Sequence, residues 1–348
     1  MLNNKTSGSA EQAGQFSPGA SKLRQVYGAA QWAGTKYRNR DGSFRQEDSH
    51  YVSPDGRLAM VADGIGGNGA GEVASRILAD VFKERYKSLP ENISYERAEQ
   101  WLKETIEAAS QTVVEAQKRE IYLASDGTMM TARAQMGSTV VACLRMPEKM
   151  LIAWAGDSRA YRLRGGKLEQ LTRDHSLENE LVDKHLLTES QAREKEIGHI
   201  IVSAVGRQLK ISQVAVDLAF GDRYLLATDG LEVLEITEIE ALLTKAIRPS
   251  QAASSLIQAV KDKQTNIIDA QDNTTVVVIA PVVDPIIASP AMTSKPGAAS
   301  QACDSLSQNF SKMVTTQSSS CPEQSENQQM GFRGWPLYSA QDTVKSWF

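Results

Sequence analysis

The chain has 348 residues, 41% hydrophobic and 23% charged, with a formal net charge of −4. This is enough for one large domain or two small ones with a sizeable core, and the slight negative charge gives no footprint for a nucleic acid or an anionic membrane. Cys143, Cys303 and Cys321 offer neither zinc-ligand spacing nor a disulfide framework, which suits a reducing, cytoplasmic setting. No apolar run reaches bilayer length, and the polar N-terminus lacks the apolar stretch of a signal peptide.

In chain order, residues 1–24 read as a flexible polar leader. Residues 25–284 read as the folded domain, and 285–348, rich in Ser, Gln, Ala and Pro, as a low-complexity tail, disordered by composition. Asp41-Gly42 marks a turn and is followed by the acidic pair Glu47-Asp48. The run 58–62 is an apolar strand. Helical periodicity covers 72–89, with Val73, Ile77, Leu78, Val81 and Phe82 on one face, and 95–119. Residues 120–135 read as irregular. A meander of strands follows at 138–146, 150–155, 159–164 and 167–172, with Gly165-Gly166 as a hairpin turn. Consecutive strands with tight turns predict an antiparallel sheet. The charged excursion 173–199 carries short helical pieces at 178–182 and 189–197 and interrupts the sheet pattern as a lid or binding loop does. Strands are predicted again at 200–205, 214–220, 222–228 and 274–280, with helices near 237–247 and 251–263.

One local pattern recurs. The strand 58–62 ends on Asp63-Gly64, opening a glycine-rich turn into a helix, and the strand 224–228 ends on Asp229-Gly230. The strand 150–155 ends on Gly156-Asp157, and Asp272-Asn273 stands just before the last strand. In antiparallel pairing the end of one strand lies beside the start of its neighbour, so all four aspartates can share one rim. Carboxylates gathered without Cys or His nearby suit hard cations, Mg or Mn. Taken alone, the first stretch is also a plain glycine turn. It is no nucleotide loop, since no Gly-Lys-Ser/Thr follows. His50, His175, His185 and His199 lie outside these motifs and read as surface or packing residues.

Six segments occur in the order of the metal-dependent type 2C Ser/Thr protein phosphatases. They are Asp63-Gly64-Ile65-Gly66-Gly67, Met136-Gly137-Ser138-Thr139, Gly156-Asp157-Ser158-Arg159-Ala160-Tyr161, Leu171-Thr172-Arg173-Asp174-His175, Thr228-Asp229-Gly230-Leu231 and Asp272-Asn273-Thr274-Thr275. The chain resembles the bacterial, stand-alone members over roughly 25–282. The resemblance implies an α+β fold, a sandwich of two antiparallel sheets flanked by helices on both sides. It implies a monomer that hydrolyses phosphoserine and phosphothreonine in proteins through a water or hydroxide bridging two Mn or Mg ions, opposing a Ser/Thr kinase. By the same resemblance Asp63 bridges both metals and Gly64 offers its carbonyl to one. Asp229 and Asp272 hold the other, and Asp157 holds a third, weaker ion. Glu47 and Asp48 act through metal-bound water, with Asn273 behind the ligands, and 173–199 is the family's flap. Two departures stand out. Ile65 replaces the His of many eukaryotic members. The family's phosphate-binding Arg falls on Ser43 in an ungapped reading, so a short insertion at Asp41-Gly42 leaves Arg38 as the candidate, with Arg40 and Arg45 as alternatives. Arg159 could also pair with Asp157 and make it structural. The competing reading is a catalytically inactive member used as a binding module, which would be expected to have lost one of the aspartates.

Overall fold

The strand that leads into Asp63 is apolar at every position, not at every second one, because both of its faces are covered. The computed structural model describes residues 23–37, 43–66, 70–118, 121–123, 129–131, 136–264 and 271–283. In chain order these form β1 (Leu23–Trp32), β2 (Ser49–Val52), β3 (Leu58–Ala62), β4 (Gly64–Ile65), α1 (Ala70–Tyr86), α2 (Tyr95–Lys118), β5 (Ile121–Leu123), β6 (Met129–Thr131), β7 (Gly137–Ser138), β8 (Val140–Arg145), β9 (Lys149–Ala155), β10 (Arg159–Arg164), β11 (Lys167–Gln170), α3 (Leu177–Asp183), α4 (Glu189–Glu194), β12 (Ser212–Asp217), β13 (Arg223–Ala227), α5 (Ile236–Lys245), α6 (Pro249–Gln264) and β14 (Thr274–Val283).

Two five-stranded sheets carry the fold, in the orders β1-β14-β13-β10-β11 and β12-β9-β8-β3-β2. Their pairings are antiparallel. Side chains alternate between two destinations, as the pleat requires. Ala59 and Val61 of β3, Val141 and Cys143 of β8, and Ile152 and Trp154 of β9 meet Leu226 of β13 and Val277 of β14 in a core between the sheets. Leu58, Met60, Val140 and Leu151 turn the other way, onto Leu78 and Phe82 of α1 and Leu102 and Ile106 of α2. Leu225, Val276 and Val278 turn outward onto Leu243 of α5 and Leu256 and Val260 of α6. The result is helix, sheet, sheet, helix, the α+β sandwich that the resemblance implied.

Four expectations need correction. Residues 200–205 are not a strand. Only isolated bridges form there, Ser138 with Val205 and Ser176 with Ile201. The Ser203 hydroxyl donates to the Lys210 carbonyl and accepts from its N–H, and the Ala204 N–H reaches Gln208, which folds the segment back on itself. Ala204 and Val205 are buried, so the apolar signal reports burial and not strand pairing. β1 was missing from the sequence reading, because Gln25, Gly28, Ala29, Ala30 and Gln31 are poor strand formers. Pairing with β14 over ten residues and packing against α6 hold it; a Cβ on Gly28 would lie 2.2 Å from Ser250 Cα. Within 120–135, a short hairpin of β5 and β6 appears where irregular chain was expected; 124–128 lie outside the described residues. Asp229-Gly230 opens a 3-10 turn, Asp229–Val233, that no periodicity signalled. The leader up to 22, the tail from 284, Arg38 and Arg40 also lie outside the described residues. Among the described residues, no helix is long and apolar enough to cross a membrane.

Candidate metal centre

Antiparallel register brings the acidic motifs to one rim of the sandwich. Ser49 at the start of β2 faces Ala62 at the end of β3, so Glu47-Asp48 come beside Asp63. Ala155 at the end of β9 faces Val140, and Arg159 at the start of β10 faces Ala227. Ala227 in turn faces Val276, which sets Asp229 beside Asp272. The rim thus collects Glu47, Asp48, Asp63, Asp157, Asp229 and Asp272, segments up to more than two hundred residues apart.

Short polar side chains tie the rim together. The Asp63 N–H donates to Thr139 Oγ1 at 3.0 Å, while the Ser138 hydroxyl and the Thr139 N–H donate to the Asp63 carbonyl at 2.8 and 2.9 Å. Thr139 Oγ1 pairs with Ser158 Oγ at 2.7 Å, joining the β3 end to the β9 end. The Thr228 hydroxyl donates to Asp48 Oδ2 at 2.8 Å and accepts from the Thr275 N–H at 2.9 Å. Asn273 Oδ1 accepts from the Glu47 N–H at 2.7 Å, and its amide donates to the Arg45 carbonyl at 3.1 Å and to that of Ala33. Asn273 therefore locks the acidic pair to the β14 end. Only glycine fits at 64 and 71. A Cβ on Gly64 would lie 2.1 Å from the Gly71 carbonyl oxygen and 2.5 Å from that of Glu47.

The electrostatics of this rim are those of crowded, buried carboxylates. Both Glu47 carboxylate oxygens, Asp48 Oδ1 and Asp157 Oδ1 are buried without a hydrogen-bond donor, a costly arrangement for acceptors. Burial, then the fields of Asp229, Asp48, Asp157 and Asp272, holds the Asp63 carboxyl well above the usual carboxylate range. Burial, then Asp157, Asp272 and Asp48, does the same to Asp229. Burial pushes Asp48 and Asp157 up to about 6, and Glu47 up to about 7 against the pull of Arg45. Among the described residues no three His, Cys, Asp or Glu side chains stand as a group that could hold a metal ion; what converges is charge. The orphaned oxygens and the all-oxygen donor set fit hard divalent ions.

Several cations stand around the rim. The Arg159 guanidinium does not engage Asp157. Its Nε and Nη2 grip Asp174 at 3.0 and 2.6 Å, and Nη2 also reaches Glu232 at 2.9 Å. Arg45 Nε lies 3.2 Å from Glu47 Oε1, with the guanidinium over the Tyr37 ring at 5.8 Å. Lys36 Nζ sits on Asp272 Oδ2 at 2.5 Å. Lys36 and Glu232 were missed by sequence reasoning, and Thr139 and Thr228 stood in the family segments without an assigned role. No local signal gives these roles, since each acts on a residue far away in the chain. Ile65 lines a cavity of about 500 Å³ with Glu180, His199, Val202 and Arg207, which places the 173–199 excursion beside this rim.

The sequence profile described as Protein phosphatase 2C matches residues 34–271. The chain belongs to the protein phosphatase 2C family. It is 29% identical over 249 residues to the serine/threonine phosphatase stp of Listeria monocytogenes, covering 70% of this chain and 90% of that protein. The crystal structure of the Mycobacterium tuberculosis serine/threonine phosphatase PstP/Ppp superposes with a TM-score of 0.60 at 27% identity, covering 74% of this chain and 99% of that one. The catalytic domain of PstP in complex with two manganese ions superposes with a TM-score of 0.57 at 27% identity, over 75% of this chain and 99% of that one.

The charge on this phosphatase's rim has a thermodynamic consequence. Glu47, Asp48, Asp63, Asp157, Asp229 and Glu232 all have folded-state pKa values raised above their ordinary ones, chiefly by burial. A raised carboxyl favours the folded state while protonated and loses that contribution as pH climbs through its folded-state value. Burial lowers His50 and His175, which work in the opposite direction but are only two groups. Metal-free protein is therefore expected to melt at a higher temperature near about pH 5.5 than near about pH 7.5. Saturating Mn should flatten or reverse that slope. Calorimetry in chelator and in Mn checks it, and a metal-free melting point that rises with pH contradicts it.

Proposed function

We propose that this protein is a Mn- or Mg-dependent protein serine/threonine phosphatase whose folded domain spans 25–284. The observation that carries the reading is the rim of six carboxylates, with four buried oxygens lacking donors, in a member of this family. Asp63 would be shared by two ions, with the Gly64 carbonyl on one of them and Asp229 and Asp272 on the other. Asp157 would hold a third. What such ions supply is an activated water and neutralisation of the phosphate charge. The chain's own groups hold that geometry. Thr139 and Ser138 fix the Asp63 peptide, and Thr228 orients Asp48. Asn273 keeps Glu47 and the β14 end in register. Phosphorylated proteins are the proposed substrates, with a Ser/Thr kinase as the opposing activity, and the protein is proposed to act as a cytoplasmic monomer. All the family-matched aspartates are present, which favours catalysis over an inactive binding module.

The test is hydrolysis of a phosphothreonine peptide with Mn, without Mn and in excess chelator. Turnover should require the metal and ignore thiol reagents, since the proposed donors are all oxygen and Cys143 is buried. Turnover surviving in chelator would overturn the reading.

Arg38 is proposed to hold the substrate phosphate, as a guanidinium can do bidentately. Arg38→Ala should cost about 2–4 kcal/mol of transition-state binding, typical for one charged donor in a preorganised site, with little change in metal affinity. Arg45→Ala removes the cation beside Glu47 and should instead shift the pH profile. Should Arg38→Ala match wild type while Arg45→Ala collapses turnover, the phosphate role belongs to Arg45.

A further inference from the structure

His175 is the buried imidazole that the reaction outlined above does not use. It is 6% exposed, and its contacts run in four directions. Its backbone N–H donates to the Gly156 carbonyl at 2.9 Å, and its Nδ1 accepts from the Gly156 N–H at 3.3 Å. One residue thus clamps both polar groups of Gly156. Nδ1 is the acceptor, so Nε2 carries the proton and donates to Ser212 Oγ at 2.9 Å, at the start of β12. The His175 carbonyl accepts from the Val202 N–H at 2.8 Å. Next to it Leu177 N–H donates to the Ile200 carbonyl at 2.7 Å, so entry and exit of the charged excursion are laced together at this point. The Trp154 ring stacks on the imidazole at 6.0 Å with 21° between planes, and its Nε1–H donates to the Arg173 carbonyl at 2.9 Å. Gly156 itself cannot drift or be replaced. Its φ is +107°, and a Cβ there would lie 2.7 Å from the Thr139 side chain. Burial lowers the His175 pKa to about 4, so the ring stays neutral and keeps one acceptor and one donor nitrogen.

We propose that His175 is a positioning residue that fixes the Gly156-Asp157 corner of the proposed metal centre and fastens the entry of the 173–199 excursion, and the chain just past its exit at 200–202, to that same corner. Asp157 follows Gly156 directly and has one buried oxygen without a donor, so its aim depends on how Gly156 is held. Val202 lines the cavity beside Ile65. The placement of Asp157 and the placement of the excursion therefore meet in one residue, whose imidazole holds Gly156 and Ser212 while its main chain holds Gly156 and Val202. The role in turnover rests on the phosphatase reading; the clamp itself does not.

The test uses the full chain and three variants. His175→Asn keeps an acceptor where Nδ1 stands and loses the link to Ser212. His175→Gln reaches toward Ser212 but offers Gly156 nothing at the Nδ1 position. His175→Ala removes both. In metal-free protein, hydrogen exchange should quicken together at 155–158 and at 200–203 in His175→Ala and His175→Gln, and stay slow in His175→Asn. In Mn, kcat should fall about tenfold to a hundredfold in the Ala and Gln variants, as when a group orienting a metal site is lost, and added Mn should not restore it. His175→Asn should recover most of the turnover. If Asn behaves like Ala, or if exchange quickens at only one of the two segments, the proposal is overturned. Should His175→Ala not fold, the Asn and Gln variants carry the comparison alone. A wild-type protein without metal-dependent hydrolysis would count against the phosphatase reading, while the exchange data would still decide the clamp.

Discussion

Asp63→Asn is expected to abolish metal-dependent hydrolysis and, at the same time, to raise the melting temperature of the metal-free protein. The two effects have one cause. Partial burial, then the summed field of Asp229, Asp48, Asp157 and Asp272, raises the Asp63 carboxyl. At neutral pH its ionised form is a burden on the folded state unless a cation shares it. A neutral amide of the same shape removes that burden and with it the charge that would hold the ions. Turnover should drop a hundredfold to a thousandfold or more, roughly 3–4 kcal/mol of transition-state stabilisation. The metal-free melting point should rise, by about 2–4 °C for each kcal/mol gained in a domain of this size. The rise that Mn produces in wild type should shrink or vanish. A structural aspartate would behave differently, because its Asn variant would melt lower and still respond to Mn. Seeing that pattern would remove Asp63 from the metal centre.

The next largest effect separates Asp229 from Asp157. Asp229→Ala should weaken the tight metal itself, so titration calorimetry should show a lost or much poorer high-affinity site. Asp157→Ala should leave tight binding intact and lower turnover without rescue by added metal. The structure removes one alternative. Arg159 is engaged by Asp174 and Glu232, so truncating Asp157 strands no arginine and should not unfold the domain. The carboxyl at 157 is also 7% exposed and pushed up to about 6 by burial and by Asp174, so its removal should mildly stabilise metal-free protein near neutral pH. If Asp157→Ala loses the tight metal and Asp229→Ala keeps it, the two roles are inverted.

The candidate site was legible because its chemistry is written locally. An apolar strand that stops on an Asp beside a Gly delivers a carboxylate to the rim of a core wherever it occurs, and three such stops, two Asp-Gly and one Gly-Asp, stand with one aspartate that opens a strand. β3, β8, β9, β13 and β14 were legible for a related reason: strands buried on both faces carry apolar runs of four or more residues, and the tight Gly165-Gly166 turn announces antiparallel pairing. β1 was not legible, since Gln, Ala and Gly earn their place there only through β14 and α6. The segment 200–205 misled in the opposite sense. Its apolar residues are needed for burial, while its backbone is spent on single bridges and a Ser203 turn.

While the two-sheet sandwich came from the family resemblance, the sequence by itself determined antiparallel pairing, the oxygen-only character of the candidate site and the aspartates proposed for it. These follow from strand-length apolar runs and from what stands at their ends, which is local information. Tertiary structure alone decided which partner each charged or polar group takes. Arg159 sits two residues from Asp157 yet turns to Asp174 and Glu232, and Lys36 reaches Asp272 across 236 positions of chain. His175, a surface or packing residue by sequence, grips Gly156 from both sides. Such choices depend on strand register and on where loops return over the rim. Side-chain reach is a few ångströms, so only the folded arrangement of distant segments can settle them.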